Sequence, residues 1–289
     1  MDRLSAPGLI VTAHPDAAEL LAWDLTDLGA VAVETRDATT LSGPSRVDAV
    51  VLIAGFEEAS ARDAALLVLS TDHPELEICS QDIVDDGWSE GWKKFFAPVE
   101  LDGLRVITPW MASTGFDGIT LVIDPGQAFG TGGHATTRLV LEYLVRMARE
   151  GQIPRRVLDV GAGSGVLAIG AVRLGAEQAL AVDIDELATR AVEENAARNG
   201  VGKSIEARTA VPADLDGQWP LALANIQLAV FADCAADITR LVAPGGRLIV
   251  SGILLEQKDD CLNLFSGFEV EELREREGWL GLLLRRKAS

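Results

Sequence analysis

Apolar residues follow different patterns in the N-terminal and C-terminal parts of the chain. In the N-terminal part, short runs rich in Val and Ile alternate with two stretches in which apolar residues recur every three or four positions. The runs are typical of strands and the recurring spacing of helices. The predicted elements are strands at 9–13, 30–34, 47–54 and 75–79 and helices at 15–28 and 57–69. Their βαββαβ order predicts a small ferredoxin-like α+β sandwich.

Predicted strands and helices alternate regularly from Ile119 onward. The strands are predicted at 119–123, 156–160, 179–183, 205–209, 221–225, 247–253, 267–273 and 279–285, and the helices at 136–149, 166–174, 186–199, 228–242 and 256–265. Such alternation predicts an α/β domain whose Rossmann-like parallel sheet carries helices on both faces. Only residues 274–278 separate the last two strands, so we predict an antiparallel hairpin at the sheet edge. Ligands of such sheets bind at the carboxyl ends of the central strands.

Residues 87–118 lie between these two patterns and show neither of them. They contain the aromatic residues Trp88, Trp92, Phe95, Phe96 and Trp110. We predict a connector with a short helix, whose aromatic side chains either fill the space between two domains or face a substrate. The predicted organisation is a first domain at 1–86, a linker at 87–118 and a second domain at 119–289.

The composition indicates two globular domains with an acidic surface. Of the 289 residues, 48% are hydrophobic, which is enough for two buried cores and excludes a disordered chain. The formal net charge is −19, and residues 1–86 alone hold 17 acidic and 4 basic side chains, a net charge of −13. Proteins bind nucleic-acid backbones through clustered Lys and Arg, so we expect no direct nucleic-acid binding. We expect a macromolecular partner to be basic.

Cysteine usage and the first residues indicate a soluble, cytoplasmic protein. Cys79, Cys234 and Cys261 are far apart and odd in number, so we predict reduced, buried thiols and no metal site. The residues after Met1 lack a basic segment followed by an apolar one. No apolar run reaches the roughly 18 residues that a membrane span needs.

A glycine-rich turn between a predicted strand and a predicted helix is the strongest chemical signal. Residues 157–165 are Val-Leu-Asp-Val-Gly-Ala-Gly-Ser-Gly. Glycines such as Gly161 and Gly163 let the backbone approach a ligand closely at the start of a helix. The dinucleotide fingerprint is G-x-G-x-x-G, whereas the third glycine here, Gly165, comes one residue early. An acid before G-x-G-x-G favours S-adenosylmethionine, with NAD and a purely structural turn as alternatives.

The next predicted strand ends in an acidic residue, Asp183. A carboxylate at this position of an α/β sheet can accept hydrogen bonds from both ribose hydroxyls of a nucleoside. Asp185 is the second candidate for this role. Its alternative role is to cap the helix predicted at 186–199.

A polar, glycine-rich loop at 124–137 precedes the first helix of the second domain. Its backbone amides and threonine hydroxyls can hold a carboxylate, while Phe129 can lie against an apolar or sulfonium group. For His134 we expect a hydrogen bond that orders the loop rather than a catalytic role.

Asn225 follows a predicted buried strand and is expected at the carboxyl edge, beside the glycine turn. An amide at this place can position a nitrogen nucleophile, so Asn225 is our candidate catalytic residue. The alternative is that Asn225 only caps the helix predicted at 228–242.

These segments together resemble the bacterial ribosomal protein L11 methyltransferase family. The most specific one is 124–137, which matches the family's D-P-G-x-A-F-G-T-G-x-H-x-T-T loop. Residues 92–96, 224–226 and 251–254 match as well. The resemblance implies a class I methyltransferase domain that binds S-adenosylmethionine, preceded by a ferredoxin-like substrate-recognition domain. It places Thr137, Gly161, Asp183 and Asn225 at cofactor-contacting positions, and Phe129 and Gly163 in the same pocket.

The resemblance also implies a reaction and a substrate. The family methylates lysine ε-amines and the N-terminal α-amine of ribosomal protein L11. An acidic recognition domain attracts a basic ribosomal protein and repels RNA, so we expect the enzyme to act on free L11. We also expect a monomer. No general base is evident, and we expect Asn225 or a neighbouring carbonyl to accept a hydrogen bond from the amine, with the proton leaving to water. Alternatives are another lysine-bearing protein as substrate, an NAD-binding oxidoreductase and a non-catalytic assembly factor.

Overall fold

The computed structural model describes residues 5–36, 49–84, 97–111, 115–124 and 133–288. The chain divides into two compact units, Met1–Phe96 and Ala97–Ser289. Within the described ranges, every helix is too short or too polar to cross a lipid bilayer.

The first unit is a four-stranded antiparallel sheet with two helices. Its elements are β1 (Ser5–Ala13), α1 (Ala18–Asp27), β2 (Ala32–Arg36), β3 (Val50–Gly55), α2 (Ala59–Asp72) and β4 (Glu77–Val84). The strand order is β2-β3-β1-β4. Strand β3 lies between β2 and β1 and runs antiparallel to both. Strand β1 lies between β3 and β4 and also runs antiparallel to both. This split βαβ arrangement confirms the predicted ferredoxin-like fold.

One face of this sheet forms the core of the first unit. Leu9 and Val11 alternate along β1 toward the helices, where they pack with Leu25 of α1 and Leu69 of α2. Because successive strand residues point to opposite faces, the intervening side chains lie on the other side of the sheet. Cys79 of β4 also lies on that side and is exposed, while Cys234 is half-buried, so the prediction of three buried cysteines is confirmed only for Cys261.

The second unit contains a seven-stranded sheet in the order β10-β9-β8-β11-β12-β14-β13. Its strands are β8 (Arg156–Val160), β9 (Gln178–Asp183), β10 (Ile205–Thr209), β11 (Trp219–Asn225), β12 (Val242–Leu254), β13 (Phe268–Arg276) and β14 (Trp279–Arg286). The five strands from β10 to β12 are parallel. Strand β14 runs antiparallel to β12 and β13, which confirms the hairpin predicted at the sheet edge.

Helices cover both faces of this sheet, as predicted. They are α3 (Ala135–Arg149), α4 (Val166–Arg173), α5 (Glu186–Arg198), α6 (Leu228–Leu241) and α7 (Lys258–Leu264). Alternate residues of each central strand enter different cores: Leu223 of β11 packs with α3, α4 and α5, whereas Ala224 packs with α6 and α7. Burial of both faces explains why the central strands are continuously apolar.

A separate three-stranded sheet corrects two predictions about residues 97–123. It consists of β5 (Val99–Leu101), β6 (Leu104–Ile107) and β7 (Ile119–Val122). The part of the predicted linker from Ala97 onward therefore contains strands and belongs to the second unit. Gly103, with a φ of +80°, allows the tight turn between β5 and β6. The aromatic residues at 88–96 lie outside the described residues.

Strand β7 was predicted to join the main sheet, but side chains of α5 pair with its edge instead. Asn199 accepts a hydrogen bond from the backbone N–H of Val122 at 2.9 Å and donates one to its carbonyl at 2.7 Å. Asn195 pairs in the same way with both backbone groups of Asp124, at 2.9 and 3.0 Å. It also donates to the carbonyl of Ser164 at 3.0 Å. Two amide side chains thus satisfy backbone groups that a neighbouring strand would otherwise bond.

We expect Asn195→Ala to lower the free energy of unfolding by about 2–4 kcal/mol, since it leaves buried backbone groups without partners. Urea denaturation followed by circular dichroism measures this. Glu194→Ala, at the exposed neighbouring position of the same helix, is the matched control and should change stability little. Equal stability of the two variants would contradict the role assigned to the Asn195 amide.

Candidate active site

The glycine turn connects β8 to α4 at the carboxyl edge of the main sheet. Gly161, Gly163 and Gly165 have φ angles of +70°, +52° and +80°, which side chains other than that of glycine rarely allow. A Cβ atom on Gly161 would lie 2.4 Å from Cγ2 of Ile226. The turn therefore requires glycine both for its conformation and for its close approach to the residue that follows Asn225.

Asp159 lies buried beneath the turn. Its Oδ2 accepts a hydrogen bond from the backbone N–H of Ala168 at 2.9 Å, while its Oδ1 has no partner among the described residues. Burial raises the pKa of Asp159 to about 7, and the nearby charge of Asp183 adds to this effect. In the sequence this acid is part of the glycine motif, and it was not among the predicted site residues. The signal was present, because an acid inside an otherwise apolar buried strand needs a reason.

Asp183 lies directly beside the glycine turn at the end of β9. Its Oδ2 accepts a hydrogen bond from the backbone N–H of Gly163 at 2.9 Å, and its Oδ1 accepts one from Asp185 at 3.1 Å. Asp185 itself caps α5 by accepting a hydrogen bond from the N–H of Leu187 at 2.8 Å. The structure therefore separates the two acids that the sequence left as alternatives: one faces the turn and the other caps a helix.

Asn225 at the end of β11 contacts Thr137 in the first turn of α3. The Nδ2 of Asn225 donates to Oγ1 of Thr137 at 3.3 Å, and both residues are buried. The Oδ1 of Asn225 is also buried, and it has no hydrogen-bond partner within the described ranges. Gln227, not Asn225, occupies the N-cap position of α6, so the alternative capping role of Asn225 is wrong. A buried carbonyl oxygen without a donor is a position where a ligand N–H or O–H can bind.

His134 caps α3 and orders the end of the 124–137 loop. Its Nδ1 accepts a hydrogen bond from the backbone N–H of Thr136 at 3.3 Å, and its ring meets the edge of Trp279 at 5.0 Å. Burial lowers the pKa of His134 to about 4, so the imidazole is neutral at pH 7. This geometry agrees with an ordering role. Phe129, the remaining predicted cofactor-binding residue, lies outside the described residues.

Two contacting pairs thus form the described part of the site: Gly163 with Asp183, and Asn225 with Thr137. Strand β8 lies between β9 and β11, so the glycine turn that contains Gly163 lies between Asp183 and Asn225 along the edge. A turn open to close approach and an acid that can accept ribose hydroxyls fit S-adenosylmethionine. No cluster of potential metal ligands occurs within the described ranges.

A comparison with models of protein families shows to which family the chain belongs. The family model for ribosomal protein L11 methyltransferase matches residues 8–287. The chain belongs to the ribosomal protein L11 methyltransferase family. Membership makes it a methyltransferase that uses S-adenosylmethionine. This confirms the resemblance seen in the sequence and excludes the NAD-dependent oxidoreductase and the assembly factor as its main function.

Individual members of this methyltransferase family cover most of the chain. The ribosomal protein L11 methyltransferase of Sorangium cellulosum is 42% identical over 86% of this chain and 79% of its own length. That of Pseudomonas paraeruginosa is 38% identical over 95% and 96%. The crystal structure of the ribosomal protein L11 methylase from Lactobacillus delbrueckii subsp. bulgaricus is 32% identical and superimposes with a TM-score of 0.60. It covers 66% of this chain and 100% of that one.

Asp159 gives a prediction about pH. The unfolded carboxyl loses its proton near its ordinary pKa of 3.8, but the native one holds it up to about pH 7. Between these values the native state binds more protons, so this group makes the protein less stable as pH rises. Asp159→Asn keeps the acceptor for Ala168 and removes the titration. Between pH 4 and pH 7, we expect the free energy of unfolding of the variant to rise by about 1–4 kcal/mol relative to that of the wild type. Above pH 7 the difference should stay constant.

The test is urea denaturation of both proteins at several pH values. Glu194→Gln, an exposed substitution, is the control for general effects of lost charge. A stability difference between wild type and Asp159→Asn that does not depend on pH would contradict the assigned titration.

Proposed function

We propose that this methyltransferase transfers methyl groups from S-adenosylmethionine to lysine ε-amines, and to the N-terminal α-amine, of free ribosomal protein L11. The observation that carries the amine assignment is the buried Oδ1 of Asn225, which has no hydrogen-bond donor in the described part of the site. An amine supplies the N–H that this oxygen lacks. The family to which the chain belongs supports L11 as the protein that bears the amine.

Several residues of the chain are proposed to bind different parts of the cofactor. Each oxygen of Asp183 accepts one backbone hydrogen bond and keeps lone pairs for the ribose hydroxyls. The glycine turn allows the backbone to lie against the ligand, and the resemblance to the family supports Thr137 and Phe129 as further proposed cofactor contacts. When bound, S-adenosylmethionine supplies an electrophilic methyl group on its sulfonium sulfur.

Asn225 orients the nucleophile. A lysine amine has an ordinary pKa of about 10.4, so it must lose a proton before it can attack. By accepting one N–H, Oδ1 of Asn225 holds the amine so that its lone pair can align with the methyl group. The imidazole of His134 is a poor base because its pKa is near 4 and its Nδ1 caps α3. The proton therefore leaves to water.

The first unit is proposed as the recognition domain for a basic protein. Residues 1–86 carry a net charge of −13, which attracts a basic ribosomal protein and repels ribosomal RNA. This charge favours free L11 over assembled subunits and opposes direct nucleic-acid binding. We further propose a monomer, since charged residues on the edge strand β13, such as Glu269, discourage pairing with a second copy. Three free cysteines agree with a cytoplasmic location.

The function is tested by incubating the purified protein with S-adenosylmethionine and either free L11 or intact large ribosomal subunits. We expect mass increments of whole methyl groups on L11, faster with the free protein, and fragment spectra then locate the amines. Asn225→Ala should lower kcat by about tenfold to a hundredfold, the cost of one lost hydrogen bond to the reacting amine.

Gln178→Ala is the matched amide control, because Gln178 is exposed at the opposite, amino end of β9. Transfer to another lysine-bearing protein but not to L11 would overturn the substrate and keep the chemistry. Unchanged kcat in Asn225→Ala would remove Asn225 from the mechanism.

Cofactor binding gives a second test of the site. Asp183→Ala should weaken S-adenosylmethionine binding by about 1–3 kcal/mol, as isothermal titration calorimetry would measure. Asp185→Ala is the paired control: it removes the α5 cap and about 1 kcal/mol of stability, with little change in cofactor affinity. If Asp185→Ala weakens cofactor binding more than Asp183→Ala does, the role of binding the ribose belongs to Asp185.

A further inference from the structure

Exposed apolar side chains are concentrated at the carboxyl edge of the main sheet. Of the nine large apolar residues that are exposed in the described ranges, five follow the ends of strands β9 to β12. They are Ile184, Leu187, Val211, Val230 and Leu255. Single exposed apolar residues are normal on protein surfaces, but their concentration at the edge where ligands of such sheets bind makes this edge a candidate binding surface.

The strand order divides these five residues between two sides of the site. Ile184, Leu187 and Val211 follow β9 and β10, on the side of Asp183. Val230 and Leu255 follow β11 and β12, on the side of Asn225. We call Val230 and Leu255, which follow the neighbouring strands β11 and β12, the apolar patch. It lies on the side where the amine, rather than the ribose, is proposed to bind.

The apolar patch is held by a well-packed part of the fold. Val230 is in the first turn of α6 and is 48% exposed, and Leu255 directly follows β12 and is 41% exposed. Asn225 pairs with Ser251 in the sheet, so β12 continues to Leu254 beyond the end of β11. Helices α6 and α7 pack together, and the ring of Phe231 meets that of Phe265 at 5.5 Å. The exposure of the patch is therefore not a result of loose packing.

Acidic side chains border the apolar patch. Asp233 is one turn after Val230 on α6 and is exposed. Glu256, Asp259 and Asp260 follow Leu255 and are exposed as well. Lys258 lies among these acids, so residues 255–260 carry a net charge of −2. A surface with exposed apolar residues and net negative charge suits a lysine-rich segment, whose methylene stems bury apolar area while the amines remain near negative charge.

We infer that the apolar patch binds the polypeptide segment of the substrate that carries the target lysine, packing on its aliphatic atoms beside Asn225. This inference rests on the proposed function. Packing of this kind takes the lysine stem out of water and directs its amine toward the Oδ1 of Asn225. The patch would then determine which lysines are methylated, while the residues after β9 and β10 serve the cofactor.

The experiment compares single serine variants by steady-state kinetics with free L11 and by calorimetry with S-adenosylmethionine. Val230→Ser and Leu255→Ser should each raise the KM for L11 by roughly threefold to tenfold, with unchanged cofactor affinity. Ile184→Ser should instead weaken cofactor binding. Val270→Ser is the matched control, because Val270 is 47% exposed on the remote edge strand β13, and it should change neither quantity.

The outcomes separate this inference from the proposed function. If the wild type does not methylate L11, the proposed substrate fails and the inference fails with it. If the wild type methylates L11 but Val230→Ser and Leu255→Ser match Val270→Ser in KM, the patch does not bind substrate and the proposed function stands. Weaker cofactor binding in the two patch variants would assign the patch to the cofactor and overturn the inference.

Discussion

The pairing of Asn195 and Asn199 with the backbone at the end of β7 is the constraint on which the site depends. These amides take the place of a neighbouring strand, so β7 can end a small sheet without leaving its backbone groups unpaired. Asn195 also bonds Ser164 inside the glycine turn. One side chain thus fixes both the turn and Asp124, where the 124–137 loop begins. The helix that carries it, α5, also follows directly after Asp183.

Burial determines the protonation state of two titratable side chains near the site. Asp159 and His134 are titratable, yet burial raises the pKa of the first and lowers that of the second, and both changes favour the neutral form. Asp183, at the same edge, is only half-buried, and its two carboxylate oxygens accept hydrogen bonds from the backbone N–H groups of Gly163 and Asp185.

The sequence was sufficient for the elements and motifs whose signals are local. The glycine turn, the ending of β9 in Asp183 and the C-terminal hairpin all follow from spacing within a few residues. The small sheet could not be predicted in this way, because β7 has the same apolar pattern as a main-sheet strand and only distant side chains on α5 decide where it lies. The contact between Asn225 and Thr137 joins residues far apart in sequence, so only their roles, and not their hydrogen bond, could be expected beforehand. The role of Asp159 was missed although its motif is local, because its complete burial is not evident from the sequence.

The order of strands along the carboxyl edge has a consequence for how such an enzyme can diversify. The groups suited to the ribose follow β9, whereas the amide suited to the amine follows β11, and the glycine turn after β8 lies between them. Ile226, directly after β11, packs against Gly161, but insertions or substitutions beyond it and after β12 can change the acceptor without disturbing the donor side. One ancestral scaffold can in this way acquire new acceptors by changing two connecting segments, while its affinity for the shared methyl donor is inherited unchanged.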